Sequence, residues 1–390
     1  MEKTTKNYIF SGISKRIYTF LFDALMVFIL AFVLNLAFAP VLQSLTAYSD
    51  KNALVNQKVN ELYRIEEEAK LIDFENLSGE KQDTPIDMTQ MFQKYIYQQV
   101  ALSYQKDSDG DFKNNNIVIN EYKHGVASKE NDALAYLYTT FIPNHPNQGL
   151  IDLNKDPITY YVDEILFKTI NDKTLFIVDD GYPYLNSKVG VILYNHVFEG
   201  NLESKEGRAN LGILQTYFHD VMDASFKILK DYIPFKDNFL IYYNNYNMLI
   251  TYNTSFQTIV FASTFLILMI ILPLCLKGKT LGNLVFKTAF FDSNDEKASL
   301  LKTTLKKMPD FILMFWLNFL VCVLTTGASS LTATLFSIGN FNVTLFSLIS
   351  FSFILMIVDV IVGAIKQDKR TLSEVICGVT MKVREKDYIN

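Results

Sequence analysis

The chain of 390 residues has only 3 cysteines, 16 glycines, 9 prolines, 4 histidines and a single tryptophan. So few cysteines exclude the disulfide framework of a small secreted scaffold. So little glycine and proline exclude collagen-like and low-complexity chains. A 49% hydrophobic content excludes disorder, and a net charge of −5 lacks the basic footprint of a nucleic-acid binder. The most informative absence is local: four stretches, 17–42, 255–276, 309–332 and 340–365, contain no Lys or Arg in 98 residues.

Those stretches hold almost all of the apolar excess, which lifts the mean hydropathy to +0.14. A membrane-crossing helix needs ~20 apolar residues with few charges, so the pattern predicts four spans rather than four buried helices of a soluble protein. The first stretch follows Lys15-Arg16 and carries Ala37-Phe38-Ala39 near its end, as a signal peptide would. It is longer than the ~7–15-residue core of such a peptide, contains Asp23, and has Pro40 after Ala39. It is therefore read as a retained span.

Basic residues number 4 before span 1, 7 in the loop 277–308 and 6 after residue 365. Short basic segments stay in the cytoplasm, whereas long segments cross largely regardless of charge. With four spans both termini and the loop 277–308 fall on one side, in the cytoplasm of a bacterial cell membrane, and residues 43–254 fall outside. The expected organisation is 1–42 (N-terminus and first span), 43–254 (an extracytoplasmic domain) and 255–390 (spans 2–4 with a cytoplasmic loop and tail). The outer segment carries 19 basic and 30 acidic residues, 19 of the 22 tyrosines and every histidine, but none of Cys275, Cys322 and Cys377. The fold class expected is an α-helical membrane protein with four transmembrane helices and an inserted α+β domain. Helical spacing marks 45–72 and 209–232; Pro40 argues for a kink before the former. Short β-like runs lie at 158–162, 175–178 and 189–194, separated by turn residues.

Chemistry in the outer segment is sparse. Asp107, Asp109 and Asp111 alternate as calcium ligands do, but the sixth and twelfth loop positions are Phe112 and Val118 rather than the Gly and Glu of an EF-hand. Asp152-Leu153-Asn154-Lys155-Asp156 is a weaker match, and such residues are also ordinary in turns. The histidines at 124, 145, 196 and 219 show no zinc spacing. No catalytic motif or cofactor fingerprint is present, so the chain is read as a non-enzyme without a cofactor. The tyrosines suit packing or a face for a protein or cell-wall partner.

Carboxylates within apolar spans carry more information, because a charge in hydrocarbon costs ~2.5–3.5 kcal/mol or more. Asp23 and Asp359 each lie six residues from the cytoplasmic end of a span, hence ~9 Å deep at ~1.5 Å per residue. Together they suit a shared proton or a cation path, or else a structural network with Arg16, Arg370 or span hydroxyls. Arg16 lies two turns below Asp23 on the same helix face. Asp310, next to Pro309, reads as a helix-start residue. Lys302, Lys306 and Lys307 read as an interfacial segment touching anionic headgroups.

Lys15-Arg16 leading into a span with Asp23, the turn Gly278-Lys279-Thr280-Leu281-Gly282-Asn283, and Ile357-Val358-Asp359 followed by Arg370-Thr371-Leu372-Ser373-Glu374 and Cys377-Gly378 resemble the RDD family of bacterial membrane proteins. The resemblance covers about 10–42 and 250–385, leaving the outer segment as an insertion. It implies cytoplasmic motif positions Gly278, Thr280, Gly282, Arg370 and Gly378, with Arg16 and Asp23 as two of the three name-giving residues. The third is Asp359 or Glu374. Asn283, Ser373 and Val379 replace the family's Lys, His and Thr. Cation/proton exchange has been proposed for some members, so the expected function is handling of a proton or small monovalent cation at Arg16, Asp23, Asp359 and Glu374, in a homo-oligomer. The alternative is an envelope protein whose spans anchor an outer binding domain.

Overall fold

A computed structural model describes residues 8–105, 132–170, 172–197, 200, 203–294, 296–327, 331–339, 341–366 and 370–384. In chain order the elements are β1 (Tyr8–Phe10), α1 (Ile13–Ser44), α2 (Thr46–Glu68), α3 (Met88–Gln105), α4 (133–144), α5 (157–169), β2 (Phe176–Asp179), β3 (Tyr182–Leu185), α6 (Ser187–Val197) and α7 (Lys205–Leu229). There follow α8 (Ile233–Cys275), α9 (Leu281–Val285), β4 (Thr288–Phe291), α10 (Leu300–Met314), α11 (Trp316–Thr326), β5 (Thr334–Ile338), β6 (Phe341–Thr344), α12 (Leu345–Ile365), α13 (Leu372–Ile376) and β7 (Thr380–Arg384). The fold is mostly helical with some strands. Contacts divide it into two compact units, Met1–Leu54 with Asn244–Asn390, and Val55–Tyr243.

Helices α1 and α12 of the first unit, and α8, which enters it at Asn244, are long and apolar enough to cross a membrane. Helices α10 and α11 meet the same length and composition test only as a pair bent by 48°. Helix α1 runs through Pro40 and ends at Ser44, where Leu45 turns extended (ψ 130). Proline near the end of the helix forgoes one hydrogen bond there, and the break follows within five residues. Ala24, Val27 and Ala31 of α1 pack with Phe261 and Phe265 of α8 and with Val321 and Cys322 of α11. Small residues on α1 let the helices approach closely. Side-chain amides add polar links: Gln257 Nε2 donates to Thr325 Oγ1 at 2.6 Å, and Asn318 Nδ2 donates to Thr258 Oγ1 at 2.9 Å. At the end of the unit that holds both terminal strands, β1, β7 and β4 form one antiparallel sheet with β7 in the middle, pairing Ile9 with Val383 and Phe290 with Met381.

The second unit has its own core, in which Ile65, Ile96, Leu134, Leu166, Leu193 and Phe218 are fully or almost fully buried. Among the described residues its strands are β2 and β3, a hairpin turning at Asp180 (φ 47) and Gly181 (φ 74). Two of the runs expected as strands are helices. In 158–162 the Asp156 carboxylate accepts from Thr159 N at 3.2 Å and Pro157 takes the first helical position, so a helix starts there. In 189–194 Val189, Leu193 and His196 are buried at helical spacing on α6. The β-branched and aromatic content suggested strands, but the period of burial is helical. The run 175–178 does enter β2, and the periodicity at 209–232 corresponds to α7.

Tyrosines fill this core through a polar network. Tyr161 Oη and Tyr217 Oη lie 2.7 Å apart, and Ser225 Oγ donates to Tyr138 Oη at 3.2 Å. The buried Asp132 carboxylate caps α4, accepting from Leu134 N and Ala135 N (3.0 and 3.2 Å), from Tyr182 Oη (2.5 Å) and from Gln99 Nε2 (3.0 Å). Burial raises the Asp132 carboxyl above its ordinary range against the pull of these donors, and burial also raises the hydroxyls of Tyr95, Tyr161, Tyr182 and Tyr217.

Candidate functional site

The polar part of the first unit is built where the turn after α8 closes on α1. Lys277 (φ 55) and Gly278 (φ 83) take left-handed backbone, which reverses the chain. Thr280 then caps α9: Asn283 N donates to Thr280 Oγ1, and Thr280 N donates to Asn283 Oδ1, both at 3.2 Å. The freed Thr280 hydroxyl proton points to Asp23 Oδ2 at 2.6 Å, and Gly282 N donates to Asp23 Oδ1 at 2.7 Å. A side chain at 282 has no room, since a Cβ would fall on the Thr19 carbonyl and 3.0 Å from Asp23 Oδ1. Thr280, Gly282 and Asp23, separated by more than 250 residues, are thus one hydrogen-bonded unit.

Arg16 and Asp23 share a helix, yet the guanidinium does not go to Asp23. It forms a buried ion pair with Glu374 through Nη1, while Nε donates to Ser11 O at 3.0 Å and Nη2 to Met381 O at 3.1 Å. Glu374 also accepts from Thr371 N at 3.3 Å, so it caps α13 and neutralises Arg16 at once. Burial raises the Glu374 carboxyl, and Arg16 opposes that shift. Asp359 Oδ1 accepts from Ser373 N at 3.1 Å, tying α12 to the start of α13. Gly378 (φ 61) ends α13 in left-handed backbone, and Arg370 precedes that helix outside the cavity lining.

Of Lys302, Lys306 and Lys307, two lie elsewhere than the sequence suggests. Lys306 and Lys307 do not face headgroups: they are 6% and 3% exposed, and both turn onto Asp310, itself 1% exposed. Lys306 Nζ donates to both Asp310 oxygens at 3.0 and 2.9 Å, and Lys307 Nζ lies 3.3 Å from Oδ2. Lys302 alone of that trio is well exposed, with its ammonium 3.9 Å from Asp292. The signal was present as Asp310 at three and four residues beyond the lysines.

Arg16, Asp23, Lys306, Lys307, Asp310, Asp359 and Glu374 line one cavity of about 230 Å³, whose other walls include Ile13, Phe20, Leu313 and Met356. Fully ionised, these seven groups carry a net −1. Arg16 cancels Glu374, and two lysines surround Asp310. Asp23 and Asp359 take part in none of the ion pairs among the described residues; they are held by hydrogen bonds. Asp107, Asp109 and Asp111 lie outside the described residues. Asp156, of the weaker acidic run, is a helix cap. Among the described residues no group of three or more His, Cys, Asp and Glu is arranged to hold a metal.

Comparison with known protein families, with curated proteins and with solved structures returns no match for this chain.

Proposed function

We propose that this chain is an RDD-like multi-pass membrane protein of four spans, the bent pair α10–α11 being the third, and that its charged cavity binds a proton or small monovalent cation. Both termini and residues 277–308 lie in the cytoplasm, and 43–254 lie outside. The observation that carries the reading is the pair Asp23 and Asp359, two carboxylates without a salt-bridge partner among the described residues, in a cavity of net −1. One bound proton or monovalent cation brings that cavity to neutrality, which an environment of low dielectric favours. Arg16 with Glu374, and Asp310 with its lysines, keep the remaining charges in fixed positions. Four spans are few for a complete path, so the working form is a homo-oligomer.

The test is proton flux in liposomes holding the full-length protein under an imposed sodium or potassium gradient. Wild type carries flux, and Asp23→Asn loses at least tenfold. A wild type without flux refutes the transport reading, and flux that survives Asp23→Asn refutes the role of that residue. In the second reading the spans anchor the outer segment as a binding module. A groove in the Val55–Tyr243 unit favours it.

A further inference from the structure

A cavity of about 580 Å³ in the second unit is a groove with one wall from α2 (Val59, Leu62, Tyr63, Glu66) and the other from Lys230 and the first turns of α8. Lys58 reaches from α2 to donate to Asn238 Oδ1 of α8 at 2.8 Å. The α8 wall is aromatic. Phe235 and Phe239 are stacked at 6.5 Å, and Tyr242 lies 6.1 Å from Phe239. Phe235 is 7% exposed, but Phe239 is 47% exposed, an apolar surface open to solvent.

Three charged side chains line this groove: Glu66, Lys230 and Lys236. Arg64, two residues before Glu66, is taken by Glu61 and Glu68. Glu66 has no ion-pair partner among the described residues and is partly buried, which raises its carboxyl. Lys230 and Lys236 likewise enter none of the ion pairs among the described residues and line the opposite wall. A ligand with a negative head alone meets Glu66, and one with a positive head alone meets two ammonium groups. A zwitterion with an apolar body satisfies both walls. The volume falls within the ~300–1,000 Å³ of small-molecule sites.

We propose that this groove binds a short apolar peptide as a zwitterion, its side chains against Tyr63, Phe235, Phe239 and Tyr242, its ammonium toward Glu66 and its carboxylate toward Lys230 and Lys236. The site goes beyond the membrane cavity and does not depend on it, since every lining residue belongs to the Val55–Tyr243 unit.

Isothermal titration of the full-length protein in neutral-lipid nanodiscs tests this with the tripeptide Leu-Phe-Leu, its N-acetyl form, its C-terminal amide, and dodecanoate. The free tripeptide saturates one site, and either blocking group weakens binding at least tenfold. Glu66→Gln lowers affinity for the free tripeptide to that of the acetylated one and leaves the acetylated one unchanged. Phe239→Ala, at a residue nearly half exposed, weakens the free tripeptide at least tenfold while the unfolding midpoint stays put. Absence of saturable binding, equal binding of free and blocked peptides, unchanged affinity in Phe239→Ala, or dodecanoate displacing the tripeptide with greater affinity overturns the proposal. Loss of proton flux in Asp23→Asn leaves every one of these outcomes in place, so the two readings fail separately.

Discussion

Replacing Gly282 by alanine exchanges a hydrogen for a methyl group where none fits. The new Cβ falls on the Thr19 carbonyl of α1 and 3.0 Å from Asp23 Oδ1. Both are backbone or short, hydrogen-bonded groups, so α9 must move away from α1. Overpacking of this kind costs ~1–3 kcal/mol. The shift also lengthens the 2.7 Å bond from Gly282 N to the Asp23 carboxyl, and leaving a buried donor without its partner costs ~1–3 kcal/mol. The two together predict a loss of about 2–6 kcal/mol. The measurement is the midpoint of denaturant-induced unfolding in mixed micelles, with the slope unchanged. Gly212→Ala is the control: its Cβ meets nothing within 4 Å on the exposed side of α7, so the variant gains ~0.5–1 kcal/mol from helix propensity. A Gly282→Ala protein as stable as wild type refutes the close approach of α9 to α1, and with it the assembly of Asp23, Thr280 and Gly282 into one site.

Three further outcomes are expected. Burial raises the Asp132 carboxyl, so the folded state favours its protonated form. Its stabilising contribution is complete below the unfolded value of ~3.9 and is lost as pH rises through the folded value. The stability of Asp132→Asn relative to wild type therefore grows with rising pH across that window, and unfolding midpoints of both proteins from pH 4 to 7 check it. Tyr161→Phe and Tyr217→Phe each leave a buried hydroxyl without its 2.7 Å partner and each cost ~1–3 kcal/mol. The double variant costs less than their sum, as a double-mutant cycle will read. In a cysteine-free background, a membrane-impermeant maleimide labels Ser187→Cys in intact cells but labels Ser293→Cys only after permeabilisation; the reverse pattern refutes the orientation.

What was legible in the sequence followed physical cost. Charges inside apolar runs are expensive, so Asp23 and Asp359 stood out, and both line the cavity. Lys306, Lys307 and Asp310 sit where an apolar run begins, and the same composition suits a helix facing headgroups or the protein interior; only packing distinguishes the two. Arg16 was read against Asp23, seven residues away, because helix periodicity sees local neighbours. Its partner Glu374 lies 358 positions along the chain, and no period reaches that far. In the outer segment, β-branched and tyrosine-rich runs at 158–162 and 189–194 suggested strands. Helix-start chemistry at Asp156-Pro157 and a helical burial pattern on α6 decided otherwise.

The place of β7 in the middle of its sheet has a consequence for biosynthesis. Arg16 is among the first residues made. Its counter-charge Glu374 and the Met381 carbonyl are made more than 350 residues later. Until α13 and β7 emerge, β1 and β4 have no strand between them, and the guanidinium lacks the carboxylate it pairs with. A buried charge missing its partner costs ~3–5 kcal/mol, which disfavours burying Arg16 before Glu374 is made. Burial of Arg16 therefore waits on a residue made 358 positions later, and a chain halted before residue 374 is expected to leave the Arg16 guanidinium within reach of water.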